Sequence, residues 1–134
     1  MEDNLLNKDL MLLNEALKIL TNSYAPYSGI HVAAALLTEK GNVYHGVNIE
    51  NSSYGLTICA ERSAVAAMVV AGERKPIAIA IVTDYNRPIP PCGACRQVLA
   101  EFNHETRIIM HSIRSGEIRI VNLKDLFPMP FKID

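Results

Sequence analysis

The feature that most constrains this chain is the placement of its three cysteines. All three fall in two short motifs, Cys59-Ala60-Glu61 and Pro91-Cys92-Gly93-Ala94-Cys95, and each motif stands where a loop enters a predicted helix. A helix N-terminus carries about half a positive charge and free N–H groups, which lower the pKa of a thiol placed there. A fold that joins these two helix starts therefore gathers three thiolates around one point.

Three converging thiolates predict a metal centre. Zinc fits best among common metals because it takes Cys sulfur in tetrahedral geometry and does no redox chemistry. Three protein ligands leave a fourth position for water, whose pKa then falls towards about 7. We therefore predict one Zn²⁺ per subunit, bound by Cys59, Cys92 and Cys95. Glu61, two residues from a ligand, is the predicted catalytic residue that moves a proton between this water and a substrate.

Two arginines follow these motifs directly, and they bear on the charge of the centre. Three thiolates and Zn²⁺ leave a net negative charge, which makes a poor Lewis acid unless hydrogen bonds to sulfur soften it. Arg62 follows Glu61 and Arg96 follows Cys95, so either guanidinium is a candidate donor. Our hypothesis is that Arg62 takes this role.

The cysteines allow two other interpretations, a redox pair and a structural zinc site. Cys92 and Cys95 alone have the spacing of a redox pair, but the additional Cys59 motif and the preceding Pro91 favour metal binding. A four-coordinate structural zinc site needs one more ligand. The four candidates have no ligand spacing to a cysteine and are assigned no metal role: His31, His45, His104 and His111.

The hydrophobic pattern predicts the element order α-β-β-α-β-α-β-β. Leucines at helical spacing (Leu6, Leu10, Leu13, Leu17, Leu20) predict an amphipathic helix over 5–20. The first two strands form a hairpin, and a βαβ unit later in the chain implies a parallel pair. The predicted fold class is α/β, a three-layer α/β/α sandwich with a mixed five-stranded sheet. The other predicted elements are strands 30–37, 43–47, 77–83, 107–111 and 117–121, helices 59–71 and 93–102, and a closing turn at 125–130.

Composition narrows the functional classes. A chain of 134 residues with 49% hydrophobic and 20% charged residues suits one globular domain, residues 1–134. With a net charge of −1 and scattered basic residues, no nucleic-acid partner is expected. No apolar run is long enough for a membrane span, and the acidic residues 1–4 do not resemble a signal peptide. We therefore expect a cytoplasmic protein with no membrane partner and with reduced thiols.

The motifs together resemble one family, the small homotetrameric cytidine deaminases. Zinc deaminases of this kind have a three-cysteine ligand set and a glutamate that does not bind the metal. The resemblance covers nearly the whole chain, in family order and spacing. It is carried by the blocks 24–28 (Tyr-Ala-Pro-Tyr-Ser), 47–54 (Val-Asn-Ile-Glu-Asn-Ser-Ser-Tyr), 59–62 (Cys-Ala-Glu-Arg), 91–99 (Pro-Cys-Gly-Ala-Cys-Arg-Gln-Val-Leu) and 126–131 (Leu-Phe-Pro-Met-Pro-Phe).

The resemblance implies a cytidine deaminase-like fold and a role in pyrimidine salvage. The reaction that it implies is attack of water at C4 of cytidine or deoxycytidine and loss of ammonia, which gives uridine or deoxyuridine. It also implies a homotetramer with active sites at subunit interfaces. The residues that it marks for the substrate are Asn48 and Glu50 for the ribose hydroxyls, the backbone of Ala60 for the base carbonyl, and Tyr54 and Phe131, which approach a neighbouring subunit's pocket.

Two positions depart from the family pattern. Ile30 stands where the family has an aromatic residue that stacks on the base, and Ala33 stands where it has glycine. Base–aromatic stacking contributes about 1–3 kcal/mol, so Ile30 bears on substrate identity. The alternatives are a deaminase of another cytosine-bearing molecule such as a nucleoside antibiotic, a zinc or redox module without turnover, and a nucleic-acid editor. Asn48 and Glu50, which favour a ribose, argue against the antibiotic deaminase. Glu61 argues against a module without turnover, and the scattered basic residues argue against a nucleic-acid editor.

Overall fold

The predicted elements form one mixed sheet with helices on both of its faces. The structure, a computed structural model, describes residues 5–133, and the acidic residues 1–4 lie outside this range. The elements are α1 (Asn7–Ile19), β1 (Val32–Thr38), β2 (Val43–Val47), α2 (Ala60–Val70), β3 (Pro76–Thr83), α3 (Gly93–Phe102), β4 (Arg107–Ser112), β5 (Ile118–Asn122) and α4 (Leu123–Leu126), with short 3₁₀ turns at Leu20–Asn22 and Tyr54–Leu56.

The strand order is β2-β1-β3-β4-β5. Strand β1 pairs antiparallel with β2, as the predicted hairpin requires, and antiparallel with β3 on its other side. Strands β3 and β4 are parallel, with α3 as the connection between them, and β5 returns antiparallel to β4. The predicted α/β class, the mixed five-stranded sheet and the parallel pair are therefore confirmed.

The interior strand β1, second in the strand order, contributes to both faces of the sheet. Ala34 and Leu36 pack on the side of α2 and α3, whereas Ala33 and Ala35 pack on the side of α1. Successive side chains of a strand point to opposite faces, so a strand covered on both sides needs a continuous apolar run. This explains the unbroken hydrophobic stretch in the sequence. Ala33, one of the two departures from the family pattern, is fully buried there.

Helix α1 forms as predicted, but the side that it turns towards the sheet is not centred on the predicted row of leucines. Leu13 and Leu20 are buried, whereas Leu6, Leu10 and Leu17 are each nearly half exposed. The buried side of the helix also carries Asp9, whose carboxylate accepts two hydrogen bonds from the Arg107 guanidinium, at 2.8 and 3.1 Å. Periodicity identifies a helix but does not fix which flank faces the sheet when a long-range ion pair contributes.

The end of the chain also differs from its prediction. Where the sequence predicts a turn at 125–130, a single helical turn, α4, forms first and begins directly after β5. The Asn122 side chain accepts a hydrogen bond from the Lys124 N–H and so caps this turn. None of the helices in the part of the chain that the structure describes is long and apolar enough to cross a membrane.

Candidate active site

The three cysteine sulfurs meet at the N-termini of α2 and α3. Cys59 is the residue that caps α2, Cys92 caps α3, and Cys95 lies in the first turn of α3. The Sγ atoms of Cys59 and Cys92 are 3.8 Å apart, and those of Cys92 and Cys95 are 3.5 Å apart. All three sulfurs lie within 4.8 Å of one another. The fold therefore brings together the two motifs as the sequence predicts.

These sulfur positions fit a zinc ion. Two thiolates bound at about 2.3 Å to a tetrahedral ion lie roughly 3.8 Å apart, which agrees with the separations of 3.8 and 3.5 Å between the cysteine sulfurs. The donor set is purely sulfur, which favours zinc over the hard cations. Cys95 is fully buried while Cys92 is exposed, so the cluster opens to solvent on one side only.

The cluster favours negative charge on Cys59 even without a metal. Hydrogen bonding from the Cys95 thiol, followed by that from the Arg62 guanidinium, lowers the pKa of Cys59 to about 5. The same hydrogen bond, together with burial, raises the pKa of Cys95. Negative charge is thus favoured on Cys59 over Cys95, and binding of a divalent cation releases the protons that remain on the thiols.

Glu61 lies in the first turn of α2 with only 5% of its surface exposed. Burial raises the pKa of its carboxyl to about 7, and the negative charge of Cys59 adds to this effect. A carboxyl whose pKa lies near neutrality can both accept and donate a proton, which is the requirement for general acid–base chemistry. The predicted catalytic position of Glu61 is thus beside the sulfur cluster and largely closed to bulk water.

The two candidate arginines take different partners. Arg62 places Nη2 3.7 Å from the Cys59 sulfur and 3.4 Å from the carbonyl oxygen of Thr57. Arg96 instead donates from Nε to the Pro91 carbonyl at 2.7 Å and from Nη1 to the Leu126 carbonyl at 3.0 Å. Arg62 is therefore the arginine placed to donate to a ligand sulfur, as our hypothesis requires. Arg96 instead connects the loop before α3 to the end of α4.

A glycine in β2 determines how closely α2 approaches the sheet. A Cβ atom on Gly46 would stand 2.3 Å from the Ala60 carbonyl oxygen and 2.4 Å from the Ala64 nitrogen. Backbone atoms cannot yield easily, so only glycine permits this contact. Gly46 thus sets the distance between the start of α2 and the sheet, and with it the positions of Cys59 and Glu61. Sequence reasoning missed this role, although a glycine inside a strand is a signal for close approach.

The four histidines lie outside the sulfur cluster, and each ring has another hydrogen-bond partner. His31 pairs with the Asp84 carboxylate and His45 with the Glu15 carboxylate, at 2.7 and 2.9 Å. His104 and His111 bond to backbone carbonyl oxygens instead. These contacts give each imidazole a structural function in its own part of the fold.

The two residues that the resemblance assigns to ribose lie on the loop between β2 and α2. The Asn48 side chain holds the segment before β1: Nδ2 donates to the Ile30 carbonyl at 2.9 Å, and Oδ1 accepts from the Val32 N–H at 3.0 Å. Its Oδ1 also accepts from the Ser23 hydroxyl. Asn48 retains one amide N–H that none of these bonds uses.

Glu50 faces an open cleft of about 270 Å³. Its Oε1 accepts hydrogen bonds from the backbone N–H groups of Tyr27 and Ser28, at 2.9 and 3.1 Å, and its Oε2 accepts from the Ser28 hydroxyl. The lining of the cleft combines aromatic and polar side chains, which suits a polar ligand with a flat ring. The residues around it are Tyr27, Ser28, Glu50, Asn51, Tyr54 and Thr57.

The remaining predicted substrate contacts occupy three different environments. Ala60 is the first residue of α2 and is fully buried, so its N–H belongs to the free donors of the helix start. Ile30 is half-buried just before β1. Tyr54 is 77% exposed beside Tyr27, with ring centroids 6.3 Å apart. Tyr54 therefore lies on the wall of the open cleft, in contact with the Tyr27 ring.

Phe131 lies on the C-terminal segment, with its side chain 70% exposed. Its backbone is fixed to α3, because the Gln97 amide donates to the Phe131 carbonyl at 2.9 Å and accepts from its N–H at 3.1 Å. In this chain the ring therefore faces outward from a segment that two hydrogen bonds hold in place.

Comparisons with known proteins agree with this geometry. The family model of the cytidine and deoxycytidylate deaminase zinc-binding region matches residues 6–112. The chain is 46% identical over 122 residues to a cytidine deaminase of Halalkalibacterium halodurans, covering 90% of this chain and 92% of that one. The crystal structure of a cytidine deaminase from Burkholderia pseudomallei matches with a TM-score of 0.86 and 42% identity, covering 91% of this chain and 98% of that one.

A more distant relative bears on the substrate. The blasticidin-S deaminase of Bacillus cereus is 25% identical over 136 residues, covering 96% of this chain and 95% of that one. The family model spans most of this chain and includes all three sulfur ligands. The resemblance and the predicted zinc cofactor are thereby confirmed: the chain belongs to the cytidine and deoxycytidylate deaminase family, the zinc-dependent hydrolytic deaminases.

Proposed function

We propose that this protein hydrolyses the exocyclic C–N bond of cytidine and deoxycytidine, giving uridine or deoxyuridine and ammonia. One observation carries the proposal: three cysteine sulfurs lie within 4.8 Å of one another, next to the buried carboxyl of Glu61. A purely structural metal site needs no such carboxyl, whereas a hydrolytic site needs a proton carrier at this point.

The chemistry divides between the metal and the chain. Cys59, Cys92 and Cys95 would hold the zinc ion, which would supply a water that is reactive at neutral pH. Glu61 is placed to hold a proton during the addition of a water oxygen to C4 of the cytosine ring and to deliver a proton to the departing amino group, which leaves as ammonia. Its raised pKa suits both steps. Arg62 donates to the Cys59 sulfur and offsets the excess negative charge of the thiolates.

The substrate is held by groups on both sides of the cluster. The free N–H of Ala60 is placed to donate to the base carbonyl, because it points out of the α2 start. Glu50, with the remaining N–H of Asn48, binds the sugar hydroxyls. Ile30 takes the place of an aromatic platform and offers an apolar contact to the base without ring stacking. Tyr54 and Phe131, from exposed positions, complete the pocket of a neighbouring subunit.

The antibiotic deaminase is the second candidate, and Ile30 is the observation that favours it. Its support is weaker, because blasticidin-S deaminase is a distant relative at 25% identity, against 46% for the cytidine deaminase of Halalkalibacterium halodurans. Glu50 is also held in position on the cleft wall, and a carboxylate there matches a sugar hydroxyl. The nucleoside is therefore the proposed substrate.

Exposed apolar side chains support the proposed homotetramer. Tyr54, Leu56 and Phe131 are 77%, 66% and 70% exposed, and the outward leucines of α1 form a second apolar surface. Large exposed apolar groups mark association surfaces. In such an assembly the Tyr54 and Phe131 rings close a neighbouring subunit's pocket. A cytoplasmic role in pyrimidine salvage is consistent with thiols that must stay reduced to bind zinc.

One preparation of the purified protein tests the proposal. Deamination is followed by the fall in ultraviolet absorbance with cytidine, deoxycytidine, blasticidin S and cytosine, while metal analysis measures zinc per chain. We expect turnover of both nucleosides, little or none of the antibiotic, and one zinc ion per chain. Turnover of blasticidin S alone would assign the second candidate, and active protein without stoichiometric metal would refute the zinc mechanism.

A further inference from the structure

The side chain of Ser28 is the centre of a small hydrogen-bond network at the wall of the cleft. Its hydroxyl donates to Oε2 of Glu50 and accepts a hydrogen bond from the Ile30 N–H at 3.0 Å. Its own N–H donates to Oε1 of Glu50 at 3.1 Å, where the Tyr27 N–H also donates at 2.9 Å. One serine therefore connects two residues expected to contact the substrate, Glu50 and Ile30.

This network leaves Glu50 with one free acceptor position. An ionised carboxylate accepts about four hydrogen bonds, two on each oxygen. Oε1 accepts two N–H groups and Oε2 accepts the Ser28 hydroxyl. The hydrogen bond from Ser28 is also the main cause that lowers the pKa of Glu50, so the carboxyl stays ionised. The open position on Oε2 is what remains for a hydroxyl of the substrate.

The Ser28 hydroxyl is not needed to hold the backbone of this region. The loop that carries Glu50 is joined to the preceding segment by the Glu50 N–H, which donates to the Tyr24 carbonyl at 2.9 Å, and by the Tyr24 N–H, which donates to the Asn48 carbonyl at 3.0 Å. Ser28 itself is exposed in a turn. Its hydroxyl therefore orients the Glu50 side chain without contributing to the core.

We propose that Ser28 is a positioning residue for nucleoside binding: it holds the Glu50 carboxylate in one orientation, with a single acceptor directed to a sugar hydroxyl. The proposal rests on the proposed function, since it assumes a nucleoside in the cleft. It places a specificity element in the turn before β1, 31 residues ahead of the first sulfur ligand in the chain.

The test compares the zinc-loaded wild-type protein with Ser28→Ala on cytidine. Removing a hydrogen bond to a charged group that orients the substrate should raise KM by about tenfold and leave kcat within about twofold. Ser28→Thr, which retains the hydroxyl, should restore the wild-type KM. Ser115→Ala is the matched control, because Ser115 is also exposed in a turn and accepts a backbone hydrogen bond, from the Glu117 N–H at 3.2 Å.

A double-mutant cycle with Glu50→Ala separates positioning from a general structural effect. If Ser28 acts through Glu50, adding Ser28→Ala to Glu50→Ala should change kcat/KM by less than about twofold. Zinc content and melting temperature should stay at wild-type values. Unchanged KM in Ser28→Ala, or full additivity in the cycle, would overturn the proposal. A wild-type protein that does not deaminate cytidine would instead refute the proposed function itself.

Discussion

The candidate site has two halves, a metal half and a loop half, which are built from different kinds of secondary structure. The metal half is built from helix starts: Cys95 is fully buried in α3, and Glu61 is 5% exposed in α2. The loop half, which holds residues proposed to bind the substrate, is built from loop and turn: Glu50 lies on the loop after β2, and Tyr54 is 77% exposed. Packing against the sheet fixes the first half, whereas polar side chains that bond to one another fix the second.

This difference indicates how the two halves respond to change. Altering a buried group at a helix start affects the reacting atoms and the packing around them together. Altering an exposed group on the loop affects only what the loop binds, because loops tolerate substitution when a rigid scaffold positions them. We expect the metal half to determine kcat and the loop half to determine KM, and three substitutions test this division.

The largest effect is expected for Glu61→Gln. The amide has nearly the same shape but cannot carry a proton, so kcat should fall by about 10³-fold or more. Zinc content and melting temperature should stay close to wild type. Glu101→Gln, at an exposed position on α3, is the control and should leave both activity and stability unchanged. If Glu61→Gln kept wild-type kcat, the carboxyl would not be the proton carrier.

A smaller effect is expected for Arg62→Ala, measured as zinc affinity by competition with a chelator. Loss of the donor 3.7 Å from the Cys59 sulfur should weaken zinc binding by roughly 10- to 100-fold. KM for cytidine should change little in the zinc-saturated protein. Arg74→Ala, near the opposite end of α2, serves as control. Equal zinc affinity in the wild type and in Arg62→Ala would contradict the role of Arg62.

The smallest effect is expected on the loop half, from Ile30→Phe. An aromatic ring at this half-buried position would stack on the base and contribute about 1–3 kcal/mol, which lowers KM for cytidine by about tenfold. The value of kcat should not change, and Ile30→Leu, which adds no ring, should keep the wild-type KM. An unchanged KM in Ile30→Phe would indicate that the base does not lie against this side chain.

The metal half could be predicted from sequence because its residues lie close together in the chain. Cys92 and Cys95 are three positions apart, and Glu61 is two positions from Cys59, so helix geometry alone brings each set to one helix start. The first hairpin and the parallel pair followed in the same way from local patterns and the βαβ rule, whereas the antiparallel pairing of β1 with β3 was not predicted. The one feature of the metal half that local patterns alone do not determine is that the starts of α2 and α3 meet, because this depends on the tertiary fold.

The loop half could not be predicted so fully. The contact between Ser28 and Glu50 joins residues 22 positions apart through an irregular segment, where no periodicity applies. The ion pair on the buried side of α1 joins Asp9 and Arg107, which are 98 positions apart. At Gly46 two backbone segments come into close contact. A glycine inside a strand indicates such a contact, but the sequence does not show that the other segment is the start of α2. Each of these features needs the assembled sheet.

The Gly46 contact has a consequence for the loop that follows it. Just beyond this contact, Ile49 and Ile58 exchange backbone hydrogen bonds of 2.9 and 3.0 Å, so the two ends of the loop are tied together at its base. Residues 50–57 thus form a loop that is closed at its base. A changed sequence in the middle of this loop would alter the wall of the cleft while the pairing at the base keeps Cys59 and Glu61 in place, so substrate preference can change without any change in the metal ligands.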